Sequence, residues 1–178
     1  MINRIKGVLF LDSEAFKEIE GDEKATGQAA LIVIVASILA ALGISFGHVV
    51  FNPGVAPTVS PILKLVGVVF WGLAAWLVWS GVTYYIGTKI FHGVSTYGEM
   101  LRVVGFAYTP IAFLILSVIP VFGLAIALLA SVWAFAAVFI GVKEGLDLDS
   151  GPTLATVLVG WFIYLIGMGI LFSLFDLV

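Results

Sequence analysis

Five long apolar stretches separated by short polar segments organise the chain. The first runs from about Gln28 to Val50 and stops at Asn52-Pro53-Gly54, with Pro57 and Pro61 just beyond. The second continues from about Ile62 to Ile86. Between Leu101 and Val142 the chain stays apolar for about twice the length needed to cross roughly 30 Å of hydrocarbon at about 1.5 Å per residue. The turn residues near its middle, Ile119-Pro120-Val121-Phe122-Gly123, divide it into spans 101–119 and 122–142 joined by a tight hairpin. A polar loop with Lys143, Glu144, Asp147, Asp149, Gly151 and Pro152 precedes the fifth span, 154–175. The pattern predicts an all-α integral membrane protein whose five transmembrane helices occupy residues 26–178, with its termini on opposite sides.

Residues 1–25 follow another rule. Ile2, Ile5, Leu9, Phe16 and Ile19 recur at helical spacing beside Arg4, Lys6 and Lys17. This amphipathic segment fits equally a helix lying in the membrane interface and one packed under the bundle. Asp12 or Ser13 is placed to cap a second short helix, with Glu14 at the positive end of its dipole. The leader is too long and too acidic for a cleaved signal peptide.

Composition supplies the solvent. Of 178 residues 62% are hydrophobic and 11% charged, more apolar surface than a soluble core of this size can hide. Basic residues orient the bundle: Arg4, Lys6, Lys17, Lys24, Lys89, Arg102 and Lys143 share the side of the N-terminus, whereas Lys64 alone falls opposite, where it can snorkel outward. The N-terminus is therefore expected in the cytoplasm and the C-terminus outside. A net charge of −3 without a basic tract argues against a nucleic-acid partner, and the absence of cysteine removes thiolate chemistry.

The chemistry-bearing residues are few. Lys64, Lys89, Glu99, Arg102, Lys143 and Asp176 fall near span ends, which disfavours a side-chain proton relay. The most informative stretch is Gly105-Phe106-Ala107-Tyr108-Thr109-Pro110. Pro110 has no N–H for the carbonyl of Phe106, so a kink is expected near Tyr108, with the hydroxyl of Thr109 or Tyr108 as a substitute donor. Gly105, Tyr108, Thr109 and Pro110 are therefore the candidate structural or functional residues of span three. Gly43 and Gly47 form a GxxxG pattern that serves packing within the bundle or a dimer face. Trp71, Trp76, Trp79 and Trp161 read as interface anchors and lipid packing. His92, Glu99, Arg102, Asp147 and Asp149 share the inner side, but their spacing matches no metal-ligand pattern, and Glu99 with Arg102 is an ordinary helical pair. No catalytic residue, cofactor site or metal site is assigned.

The run Tyr84, Gly87, Phe91, Gly93, Leu101, Gly105, Tyr108 and Pro110 resembles the Yip1 domain family, and Gly7-Val8-Leu9-Phe10 with Phe16 and Ile19 is similar to that family's pre-membrane segment. The polar loop and Ala155 before the last span fit the same layout. The resemblance implies five spans with the N-terminus in the cytoplasm. Eukaryotic members associate with Rab-type GTPases and with each other, and help vesicle formation between endoplasmic reticulum and Golgi. Here about 25 residues stand in for their long polar N-terminal region, which argues against small GTPase binding. The compact form looks like the prokaryotic branch and so implies a prokaryotic cell membrane.

The sequence thus favours a non-enzymatic membrane scaffold or adaptor acting through membrane lipids, other integral membrane proteins or self-association. The alternatives are a permease or channel subunit, to which the kinked span and the hydroxyls of Ser80, Thr83, Ser117 and Ser131 point, and a small accessory subunit of a larger membrane complex.

Overall fold

Two short amphipathic helices lead into five apolar ones. The computed structural model describes the backbone of residues 1–51, 60–119 and 121–175, and the side-chain surroundings of residues 1–46 and most of the remainder. Helices α1 (Ile2–Leu9) and α2 (Ser13–Gly21) precede α3 (Ala25–Phe51) and α4 (Pro61–Lys89). Then come α5 (Tyr97–Ala107), a 3-10 helix (Thr109–Val118), α6 (Gly123–Leu146) and α7 (Ser150–Phe175). Five units are long and apolar enough to cross a membrane, α5 and the 3-10 helix together forming the third. This all-helical, five-span architecture is the expected one. The third span begins at Tyr97, a full turn before the expected start at Leu101.

Local chemistry sets several boundaries. Asp12 caps α2 as expected, its Oδ1 accepting the Glu14 N–H at 3.1 Å. Thr96 and Glu99 close a capping box on α5: Thr96 Oγ1 accepts the Glu99 N–H at 3.2 Å, and Glu99 Oε2 accepts the Thr96 N–H at 2.7 Å. α6 ends at Asp147 in the left-handed region, φ 51°, and Val121 in the hairpin before α6 also has a positive φ of 70°. Pro120, Asp176 and the turn residues Asn52, Pro53, Gly54 and Pro57 lie outside the described residues.

We call the end that carries α1, α2, the α4–α5 loop and the α6–α7 loop the basal end. The core runs up from it through Val8, Phe16, Ile19, Val33, Val103, Phe106, Val138 and Leu146, each at most 1% exposed. The outward faces show Phe70, Leu129, Phe162 and Ile166, as suits a lipid solvent.

α1 packs one face on the bundle and leaves the other exposed. Val8 is fully buried and Ile5 packs on the core, while Ile2 and Phe10 on the other side are 71% and 85% exposed. The helix lies along the flank of the bundle. Met1 and Ile5 adjoin Ile32 and Ala36 of α3 and Ala112 of the 3-10 helix, and Trp133 Nε1 of α6 donates to the Leu9 carbonyl at 3.0 Å. Arg4 ties α1 to α2 through Glu18 at 2.9 Å and Asp22 at 2.8 Å.

Candidate functional site

Proline is the origin of the irregular third span. Pro110 cannot donate to the Phe106 carbonyl, and Thr109 Oγ1 takes over at 2.6 Å, the substitution the sequence anticipates. Beyond it the chain does not return to an α-helix. It continues for 10 residues as a 3-10 helix, far longer than the usual three or four.

The tighter winding has a geometric effect. Side chains three apart eclipse in a 3-10 helix, so Tyr108, Ile111, Leu114 and Ser117 form one straight stripe, and all four line the same cavity. In an α-helix they would spiral away from one another. Gly43 of α3 permits this placement, because a Cβ there would lie 2.0 Å from the Leu114 carbonyl oxygen. Gly43 therefore packs within the chain; the surroundings of Gly47 and of His48 lie outside the described residues.

The cavity measures about 380 Å³. The stripe lines it together with Trp79 of α4, Ser131, Ala134 and Phe135 of α6, and Trp161 and Tyr164 of α7. Phe135 meets Trp161 edge to face at 5.6 Å. No charged side chain is among the described residues that line the space.

The tryptophans of α4 are packing elements, which corrects the interface-anchor reading. Trp76 and Trp79 are each 5% exposed. Trp76 Nε1 donates to the Leu101 carbonyl at 2.8 Å, and its ring lies over Gly105, where a Cβ would come within 2.9 Å of Nε1 and 2.6 Å of Ala29 Cβ. Trp79 lies over Gly160 and Trp71 over Gly167, so two indoles of α4 fill two glycine notches of α7. Nothing local marks such pairs, because each indole and its glycine stand on different helices; only glycines seven apart hint at them.

At the basal end Arg102 is 7% exposed and crosses to α2, its Nε donating to the Glu20 carbonyl at 2.8 Å, with Nη2 bonded to the same oxygen. That carbonyl is in the last turn of α2, where backbone oxygens lack helical partners and the dipole favours a cation. The expected Glu99–Arg102 pair is thus replaced: Glu99 caps its own helix, and Arg102 caps another one. Lys64, expected to snorkel outward, is 6% exposed at the start of α4.

Burial pushes the Glu20 carboxyl up to about 7, with Glu99, Asp147 and Glu144 adding repulsion and Arg102 opposing it. The folded state therefore holds this proton more tightly than the unfolded chain. Docking of α2 is expected to be firmest below the ordinary value of 4.5, to weaken as pH rises from 4.5 to about 7, and then to level off. Limited proteolysis across that range should show faster cleavage within residues 1–24 at the upper end, and Glu20→Gln should flatten the response.

His92 stands in the α4–α5 loop with φ 60°, and no cluster of three potential metal ligands occurs among the described residues. The same loop explains two glycines. A Cβ on Gly87 would lie 2.3 Å from Leu146 Cδ1, and one on Gly93 2.7 Å from the Leu146 carbonyl oxygen. Val94 N–H donates to that carbonyl at 3.0 Å, which fastens the loop to the end of α6.

Comparison with curated proteins returned no match, nor did comparison with solved structures. Against protein families, the Yip1 domain matches residues 6–172, from α1 to the last turns of α7. The glycines at 87, 93 and 105, at close approaches that a larger side chain would crowd, lie within that stretch, as do Tyr108 and Pro110. The chain belongs to the Yip1 domain family.

Proposed function

We propose that the protein is a non-enzymatic membrane scaffold, with the basal end in the cytoplasm, that works through contacts with other membrane proteins and with lipid. The observation that carries this reading is the N-terminal helical pair. One face of it is fastened to the bundle by Arg102–Glu20 and Trp133–Leu9, while Ile2 and Phe10 face outward beside the exposed Lys6. Such an element holds a bundle at a defined depth and presents a fixed surface to neighbours in the same membrane. The excess of basic residues at the basal end supports the orientation.

The test is chemical cross-linking in native membranes followed by purification in a mild detergent. A stoichiometric integral membrane partner or a homo-oligomer is expected, with cross-links from Lys6 or Lys17. A monomer without cross-links, together with unaltered membranes on deletion, would count against the scaffold. The cavity favours a second reading, a permease; Pro110→Ala and wild-type vesicles that both match protein-free vesicles in solute flux would remove it.

A further inference from the structure

The cavity between α6 and α7 goes beyond the scaffold reading, because its walls describe a ligand. Its volume of about 380 Å³ lies within the usual range for small-molecule sites. Ser131 and Leu165, which line it, are exposed on the outside of the bundle, so the space opens sideways between two spans. In a bilayer that opening faces hydrocarbon. A ligand entering there comes from the membrane, and a lining without charged side chains among the described residues suits a part that carries no charge.

The polar groups narrow the class. Three lining residues carry buried polar atoms without a hydrogen-bond partner: Trp79 Nε1, Tyr108 Oη and Ser117 Oγ. Unpaired buried polar groups are costly, so these atoms favour a partner. The N–H edge of the Trp79 indole packs against Gly160 of α7, which leaves the hydroxyls of Ser117 and Tyr108 as the groups able to donate to an acceptor in the space. Both residues line the space. Water is a poor occupant, since each molecule needs two to four polar partners and most of this lining is apolar.

The charged head group of a phospholipid has no counterpart among the described lining residues, whereas an uncharged lipid can bring an oxygen to their hydroxyls.

We propose that the α6–α7 cleft binds a neutral lipid whose carbonyl oxygen accepts a hydrogen bond from Ser117 or Tyr108, the hydroxyl turning toward the space as the lipid enters, with its apolar body along the stripe of the 3-10 helix. An acylglycerol ester and a prenylated benzoquinone share this chemistry.

Full-length protein in phosphatidylcholine nanodiscs would be irradiated with a diazirine-tagged diacylglycerol, a diazirine-tagged prenyl benzoquinone, or a diazirine-tagged phosphatidylcholine, and the adducts mapped by mass spectrometry. One neutral probe or both should label 131–138 of α6 and 161–165 of α7 saturably, with competition by the untagged compound; the arm that saturates identifies the source. Phosphatidylcholine should label outward faces without saturation. Ser117→Ala and Tyr108→Phe, the second keeping ring and fold, should each weaken half-saturation at least fivefold. Ser131→Phe at the rim should block entry while leaving the circular dichroism melt unchanged. Saturation by neither neutral probe, equal labelling by phosphatidylcholine, or unchanged half-saturation in both the Ser117 and Tyr108 variants overturns the proposal. None of these outcomes bears on the cross-linked partners that test the scaffold.

Discussion

Gly43→Ala is expected to destabilise the protein by about 3 kcal/mol, the upper end of what overpacking costs. The added methyl would sit 2.0 Å from the Leu114 carbonyl oxygen, 2.8 Å from its carbon and 2.9 Å from Ile115 Cα. These are backbone atoms, so no flexible side chain can turn aside, and α3 or the 3-10 helix must move as a body. Moving the 3-10 helix also disturbs the Tyr108–Ser117 stripe. Gly27→Ala and Gly169→Ala are the controls, since nothing lies within 4 Å of a Cβ at either position. There alanine is expected to be neutral or to stabilise by up to about 1 kcal/mol through helix propensity. Unfolding by dodecyl sulfate from mixed micelles, followed by far-ultraviolet circular dichroism, gives all three numbers. A Gly43→Ala midpoint equal to the controls would mean that α3 and the 3-10 helix do not touch as described.

Arg102→Met is expected to release the N-terminal helices while the five spans stay folded. The substitution keeps most of the buried stem but removes the donors to the Glu20 carbonyl, and hydrogen bonds from a charged group are worth about 1.5–3 kcal/mol. The docked state of α1 and α2 should lose about 2 kcal/mol, roughly a 30-fold rise in the open population. Hydrogen exchange read by mass spectrometry should lose protection by that factor within residues 2–21, with residues 25–46 and 123–146 unchanged. Arg102→Lys should restore little, because an ammonium cannot reproduce the fixed fork of a guanidinium. Removing the cation also removes the attraction that opposes the rise at Glu20, which shifts the pH response of docking upward. Equal loss of protection in all helices would show that Arg102 supports the whole bundle instead.

What the sequence makes legible follows the range of each interaction. The five spans are visible because hydropathy is a property of contiguous residues. The Thr109 bond to the Phe106 carbonyl is visible because proline's missing N–H acts within four residues. The length of the 3-10 segment is not, since its winding depends on where α3 offers Gly43 to the Leu114 backbone. Arg102 was read with Glu99, its neighbour three residues away, although its partner is 82 residues away. The same limit applies to Trp79 on Gly160 and Trp71 on Gly167. Pairs of this kind exist only once helices have chosen their neighbours. The cavity, composed of residues from α3 to α7, is a product of that choice.

The 3-10 helix also changes the length of the third span. At about 1.5 Å per α residue and 2.0 Å per 3-10 residue, Tyr97–Val118 reaches about 37 Å, close to the 36 Å or so of the 24-residue α6 to which it is joined. Wound as α throughout, the same 22 residues would reach only about 33 Å. The distal hairpin would then be drawn inward or the bilayer thinned around it, at a fraction of a kcal/mol per ångström of hydrophobic mismatch. The proline at position 110 thus lets a short segment match a long neighbour, so that both reach the same membrane surface.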